Sequence, residues 1–163
     1  MTDLNQSGGP SGPESNALRQ LQGKRVLITG TTGFLGKVVL EKLMRSVPDV
    51  GGVSLLIRGN RHYASARERF LHEVASASVF DHLKVDHPDY FDRFLEEKVA
   101  CVTGEITEPL FGLTQQGFAE LAEQVDAVIN VAASVDFREE LDKALAINTL
   151  SLRNITELVR AAG

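Results

Sequence analysis

Short apolar runs alternate along this chain with stretches in which apolar residues recur every three or four positions. The run Arg25-Val26-Leu27-Ile28 is apolar, β-branched and bounded by Gly30, the pattern of a strand buried on both faces. From 34 to 47 the period changes: Leu35, Val38, Val39, Leu43 and Val47 mark one helical face, and Pro48 ends the series. Further strands are predicted over 53–57, 99–102 and 127–131, with helical periodicity between them. The connection from 58 to 98 is long for one crossover, and Pro88 divides it into predicted helices over 64–79 and 90–97. The last segment, 139–162, carries Leu141, Leu145, Leu152, Ile155 and Val159 on one helical face, and Asn148 falls on the same face.

Strands that alternate with helices imply an α/β fold with a parallel sheet and right-handed crossovers. The reading is a Rossmann-type doubly wound parallel sheet, truncated after the fourth strand and its following helix, because a fifth strand is expected there. A chain of 163 residues, 43% of them hydrophobic, buries one core and not two. The expected organisation is a flexible tail over 1–22 with a possible short helix from 16 to 22, then one domain over 23–163. Loss of the fifth strand predicts self-association through an exposed fourth-strand edge.

Charge narrows the function. A net charge of −5 argues against a nucleic-acid binder, so an anionic ligand must be held locally. The one cysteine, Cys101, lies in an apolar run and reads as a buried, inert thiol in a reducing compartment. The first residues carry no basic start followed by an apolar stretch, and no run approaches membrane-spanning length, so the expected location is cytoplasmic, with no transmembrane segment.

The local anion site is the element Gly30-Thr31-Thr32-Gly33-Phe34-Leu35-Gly36, which follows the first strand and opens the first helix. Gly30 permits a tight turn, Gly33 lets backbone approach a pyrophosphate, and Gly36 lets the helix pack against the strand. The pyrophosphate meets unpaired amides and the positive end of the helix dipole. A plain strand-to-helix turn would not need Gly36 inside the first helical turn, where glycine costs about 1 kcal/mol against alanine. At the end of the second strand a binder of NAD places an acid for the ribose hydroxyls; here stands Arg58, followed by Gly59. A guanidinium takes a 2′-phosphate bidentately, which points to NADPH, with Arg61 or Arg67 able to share the role.

The stretch from Val26 through the glycine-rich turn to Leu43, then Pro48-Asp49 and Leu55-Leu56-Ile57-Arg58-Gly59, resembles the N-terminal region of fatty acyl-CoA reductases. These are extended short-chain dehydrogenases related to thioester reductase domains. The likeness continues through Val102-Thr103-Gly104-Glu105-Ile106, Val128 to Phe137 and Ile147-Asn148-Thr149, over roughly 23 to 163. The resemblance implies NADPH-dependent reduction of a long-chain acyl-CoA to aldehyde or alcohol. It implies that Thr31 to Leu35 bind phosphates and Arg58 the 2′-phosphate, that Gly104, Glu105 and Ile106 lie beside adenine, and that Ala132, Ala133 and Ser134 line the ribose and nicotinamide side. Asn148 matches the asparagine that supports the proton relay of short-chain dehydrogenases, and a structural bond to a neighbouring loop is an equal reading of it.

One departure is large. Such enzymes carry Tyr-x-x-x-Lys, whereas Tyr63 is followed four residues later by Arg67 and Tyr90 by Phe94. The expectation is an N-terminal cofactor-binding part, inactive alone. A nucleotide-sugar epimerase or dehydratase shares the turn, and a non-catalytic NADPH-binding module needs no Tyr-Lys pair. His72-Glu73 begins like a zinc-protease helix, but Ser76 stands where the second histidine belongs; His82 and His87 read as solvated loop residues, and no metal is expected.

Overall fold

The computed structural model describes residues 17–163. Most of the expected tail, 1–16, lies outside the described residues. Of the rest, 17–19 are helical and Gln22 forms an antiparallel bridge with Val50.

Four strands, β1 (Arg25–Thr29), β2 (Gly52–Ile57), β3 (Val99–Thr103) and β4 (Ala127–Asn130), form one parallel sheet in the order β3-β2-β1-β4. The registers are Val26 with Val53, Val53 with Val99, and Val26 with Ala127. The predicted strands are all present, within a residue or two at their ends. Their side chains alternate between the two faces of the sheet, each covered by an apolar layer. Val26, Ile28, Val53, Leu55 and Ile57 face one layer, while Leu27 and Leu56 face the other. Helices on both faces make this the doubly wound α/β arrangement that the strand-helix alternation implies.

The first layer holds α1 (Phe34–Ser46), α2 (Ala66–Arg69), α3 (Asp81–Asp86) and α4 (Pro88–Glu97); the second holds α5 (Gln115–Glu123) and α7 (Leu152–Ala162). Between β4 and α7 lies the short α6 (Leu141–Leu145). Helix α1 buries Gly36, Leu40, Leu43 and Met44 against the sheet. Each of the large side chains there contributes about 1.5–3 kcal/mol. Leu35, expected on the buried face, is instead 59% exposed at the first turn, so the apolar arc is rotated toward Leu40 and Met44.

Two predicted helices are broken. The helix expected over 64–79 starts with Ser65 as N-cap, its hydroxyl accepting from the Glu68 amide, but passes at Phe70–Ala75 into a π-helical segment and stops. Helix α3 then occupies a stretch where no element was expected, and Pro88 opens α4 at its first position. The final helix is interrupted in the same way: α6 runs into a π-helical segment at Ala146–Leu150 before α7. A π turn adds a residue and rotates everything beyond it. Beyond it Leu158 is therefore the fully buried residue while Val159 of the predicted stripe is exposed; Leu141, ahead of the π segment, is exposed as well.

Candidate functional site at the carboxyl ends of the strands

Strand order reverses at β1: the chain steps outward through β2 and β3, then returns to pair β4 on the other side. Such a reversal opens a crevice beyond the strand ends. Here it is a cleft of about 250 Å³. Of the residues read from the sequence, it is lined by Gly30, Thr32 and Gly33 from the first turn, Arg58 after β2, Gly104, Glu105 and Ile106 after β3, and Ala132 and Ala133 after β4.

Each glycine of the turn has a distinct geometric reason. Gly30 has φ +72°, and a Cβ there would lie 2.5 Å from the Ala132 amide nitrogen, so the turn is closed tightly against the loop after β4. A Cβ on Gly36 would lie 2.3 Å from the Gly30 carbonyl oxygen, which fixes the helix onto the turn. Gly33 differs, since its Cβ would meet only the Gly30 oxygen, at 3.3 Å. Packing alone demands Gly30 and Gly36; at Gly33 the missing side chain leaves the surface open. That open surface fits the close approach of a pyrophosphate. Gly33 is the N-cap of α1, no side chain caps it, and the first turn holds no acidic residue. The amides of Phe34, Leu35 and Gly36 thus have no acceptor within the helix, and the positive end of the dipole faces the cleft side.

The opposite wall is tied to β1. The buried Thr29 hydroxyl donates to Asn130 Oδ1 at 2.5 Å and accepts the Ala132 amide at 3.3 Å. Farther on, Asn148 holds Ser134, its Oδ1 accepting the Ser134 N–H and its Nδ2 donating to the Ser134 carbonyl. Of the two readings of Asn148 the structure bears on the loop bond: the residue is exposed, and both halves of its side-chain amide are spent on the loop.

At the mouth, Arg58 is 67% exposed and its Nη1 lies 3.6 Å from Glu105 Oε2. The structure does not bring Arg67 to this place. Its guanidinium donates to the Val99 and Leu95 carbonyls and lies over the Phe70 ring, because its position on α2 faces β3. Arg69 lines the cleft instead, donating to the Arg58 carbonyl at 2.6 Å while its Nε bonds Glu73 at 2.9 Å. Thr31 is buried beneath the turn, and Phe34 and Leu35 are exposed outside the lining.

Six lining residues escaped the sequence reading: Thr29, Leu56, Ile57, Arg69, Val131 and Ile147. The strand-end rule would have found Thr29, Leu56, Ile57 and Val131, whereas Arg69 and Ile147 reach the cleft through π-interrupted segments that carry no local signal. Tyr63 stacks on His72 and the Tyr90 hydroxyl donates to the Met44 carbonyl; neither lines the cleft. Cys101 is half-buried against the core, and burial pushes its thiol up. His82 is not simply solvated, since its Nε2 lies 3.0 Å from the buried Glu41 carboxylate. Among the described residues no helix is long and apolar enough to cross a membrane.

Comparison with known proteins agrees with this geometry. The chain is 44% identical over 135 residues to "Fatty acyl-CoA reductase 2, chloroplastic" of Arabidopsis thaliana, covering 83% of this chain and 22% of that protein. It is 37% identical over 139 residues to "Fatty acyl-CoA reductase 1" of Gallus gallus, covering 85% of this chain and 26% of the relative. The chain thus spans about a quarter of the length of these relatives. Among solved structures, the terminal R domain from the myxalamid PKS-NRPS biosynthetic pathway superposes with a TM-score of 0.67 at 28% identity, over 85% of this chain and 32% of that one. An NAD-binding family model described as "Male sterility protein" matches residues 28–162. With a cleft built from the same glycine-rich turn, strand ends and following loops within that span, the chain belongs to this NAD-binding, male sterility protein family.

Proposed function

We propose that this chain is the cofactor-binding portion of a reductase that takes NADPH and reduces a long-chain fatty acyl-CoA to the aldehyde or alcohol. The observation that carries the reading is the placement of Gly33 and Arg58 at one cleft, an open backbone at a helix N-terminus and a solvent-facing guanidinium at the next strand end. The substrate comes from the names of the relatives, which are fatty acyl-CoA reductases.

When bound, the nicotinamide would supply hydride to the thioester carbonyl. The residues of this chain bind and orient. The amides at the start of α1 would take the pyrophosphate, and Arg58 the 2′-phosphate, through charge-assisted hydrogen bonds. Gly104 to Ile106 would flank the adenine, and the small residues Ala132 and Ala133 would let the ribose and nicotinamide lie against backbone. Asn148 would act by keeping Ser134 and its neighbours in place. Among the described residues no tyrosine lines the cleft, so this portion by itself would hold the cofactor without turning over thioester. Retention in the cytoplasm is part of the same reading.

Isothermal titration of the purified chain with NADPH and with NADH tests the proposal. Binding of NADPH at least about tenfold tighter than NADH is expected from one charge-assisted contact. No binding of either nucleotide would overturn it, as would acyl-CoA-dependent loss of nicotinamide absorbance for the assignment of an inactive portion.

A further inference from the structure

Arg58 has a counter-ion that the cleft itself provides. Glu105 Oε2 lies 3.6 Å from Arg58 Nη1, and the two residues follow neighbouring strands joined by the hydrogen bond from the Gly104 amide to the Ile57 carbonyl. The partners are held unequally. The Arg58 side chain is 67% exposed, whereas that of Glu105 is 28% exposed. The Glu105 amide donates to the Phe111 carbonyl at 2.9 Å, and its Oε1 accepts the Thr107 amide. Phe111 and the preceding Leu110 both have positive φ, 57° and 54°, a conformation that costs non-glycine residues energy and persists only where the surroundings enforce it. The fully buried Phe111 ring supplies that enforcement, and its carbonyl also packs where a Cβ on Gly104 would lie, at 2.8 Å. A strained turn is thus used to fix the carboxylate beside the guanidinium.

Resting on the nucleotide reading above, we propose that Glu105 is a specificity-determining residue for the cofactor: its carboxylate pairs with Arg58 at the mouth of the cleft and lowers the advantage of a 2′-phosphate over a free 2′-hydroxyl. A dianionic phosphate at Arg58 must draw the guanidinium from a fixed carboxylate and accept a like charge nearby. A ribose hydroxyl meets no such penalty and can donate to that oxygen. Arg58 supplies the preference for the phosphate, and Glu105 limits it.

The test uses 2′,5′-ADP and 5′-ADP, which differ at the 2′ position, titrated calorimetrically at low ionic strength, where screening is weakest. For Glu105→Gln, which keeps the Oε1 acceptor for Thr107, the affinity for 2′,5′-ADP relative to that for 5′-ADP is expected to rise about two- to fivefold. In the Arg58→Gln background the same substitution should have a smaller effect, because the ion pair is already broken and only the like-charge repulsion between Glu105 and the phosphate is left to remove. An unchanged or reduced preference for 2′,5′-ADP in Glu105→Gln overturns the inference, and so does an undiminished effect in the Arg58→Gln background. If wild-type protein binds neither nucleotide, the underlying reading of the cleft fails and this inference with it. Thermal melts of both variants check that folding is retained, as expected for a pair that lies at the cleft mouth and outside both apolar clusters.

Discussion

Asn148 spends both halves of its side-chain amide on one residue: its Oδ1 accepts the Ser134 N–H at 2.8 Å, and its Nδ2 donates to the Ser134 carbonyl at 3.0 Å. The segment between β4 and α6 has few other anchors, so this clamp joins it to the π-helical segment at Ala146–Leu150. Asn148→Asp keeps the acceptor and replaces the donor by an oxygen facing the Ser134 carbonyl. With a typical net contribution of about 0.5–1.5 kcal/mol per bond, the melting temperature should fall by about 2–5 °C. Hydrogen exchange at the Ser134 amide should quicken in Asn148→Ala and less in Asn148→Asp, which retains the acceptor. Unchanged exchange in both would remove the clamp from the account.

Arg58→Ala should weaken NADPH binding by about one order of magnitude or more and leave NADH nearly unchanged, because a charge-assisted contact contributes roughly 1.5–3 kcal/mol. Calorimetry with both nucleotides decides it. Equal losses for the two would transfer the 2′-phosphate from Arg58 to another group.

The glycines of the turn separate folding from binding. Gly36→Ala sets a methyl 2.3 Å from the Gly30 carbonyl oxygen, with backbone on both sides, and should destabilise by about 3 kcal/mol or more. Gly33→Ala meets only one oxygen, at 3.3 Å, at an extended N-cap position, so the fold should survive within about 1 kcal/mol while nucleotide affinity drops. Denaturant unfolding beside calorimetry gives both readouts; a Gly33→Ala protein that binds at full affinity would contradict the open-surface role.

Acid stability should report on β1 and β4. Arg25 binds Asp126 through Nε, Nη2 and its own amide, and these bonds hold the Asp126 carboxyl down to about 2 from its ordinary 3.8. A depressed carboxylate stabilises the fold above its unfolded value, and that contribution is lost as pH falls from about 3.8 toward 2. Asp126→Asn should therefore be less stable than wild type at neutral pH and lose less on going from pH 5 to pH 2. Parallel acid-unfolding curves for the two proteins would count against the pairing.

Thr31 should be replaceable at a gain. Its hydroxyl is buried beneath the turn with no hydrogen-bond partner among the described residues, so it bears the cost of desolvation without a compensating bond. Thr31→Val keeps the shape and should be neutral or stabilising by about 1 kcal/mol in urea unfolding. A loss above that amount would mean that the hydroxyl finds a partner in solution.

Much of this molecule was legible one residue at a time. The four strands, α1, the α/β class and the need for glycine at 30 and 36 followed from local pattern, because a buried strand and an amphipathic helix impose periods of two and 3.6 on the residues that form them. Arg58 and Glu105 were found at strand ends, where the chain order itself points to the cleft. What tertiary structure decided was the phase of the interrupted helices and the partners of long side chains. The π-helical segments at Phe70–Ala75 and Ala146–Leu150 each rotate the residues that follow. Beyond the second of them Leu158 rather than Val159 enters the core, and Asn148, within it, turns to the Ser134 backbone; ahead of the first, on α2, Arg67 faces β3 and Arg69 reaches the cleft. A π turn leaves no fixed local signature, because it is chosen by what the helix must contact on either side, and those contacts exist only once the sheet has formed.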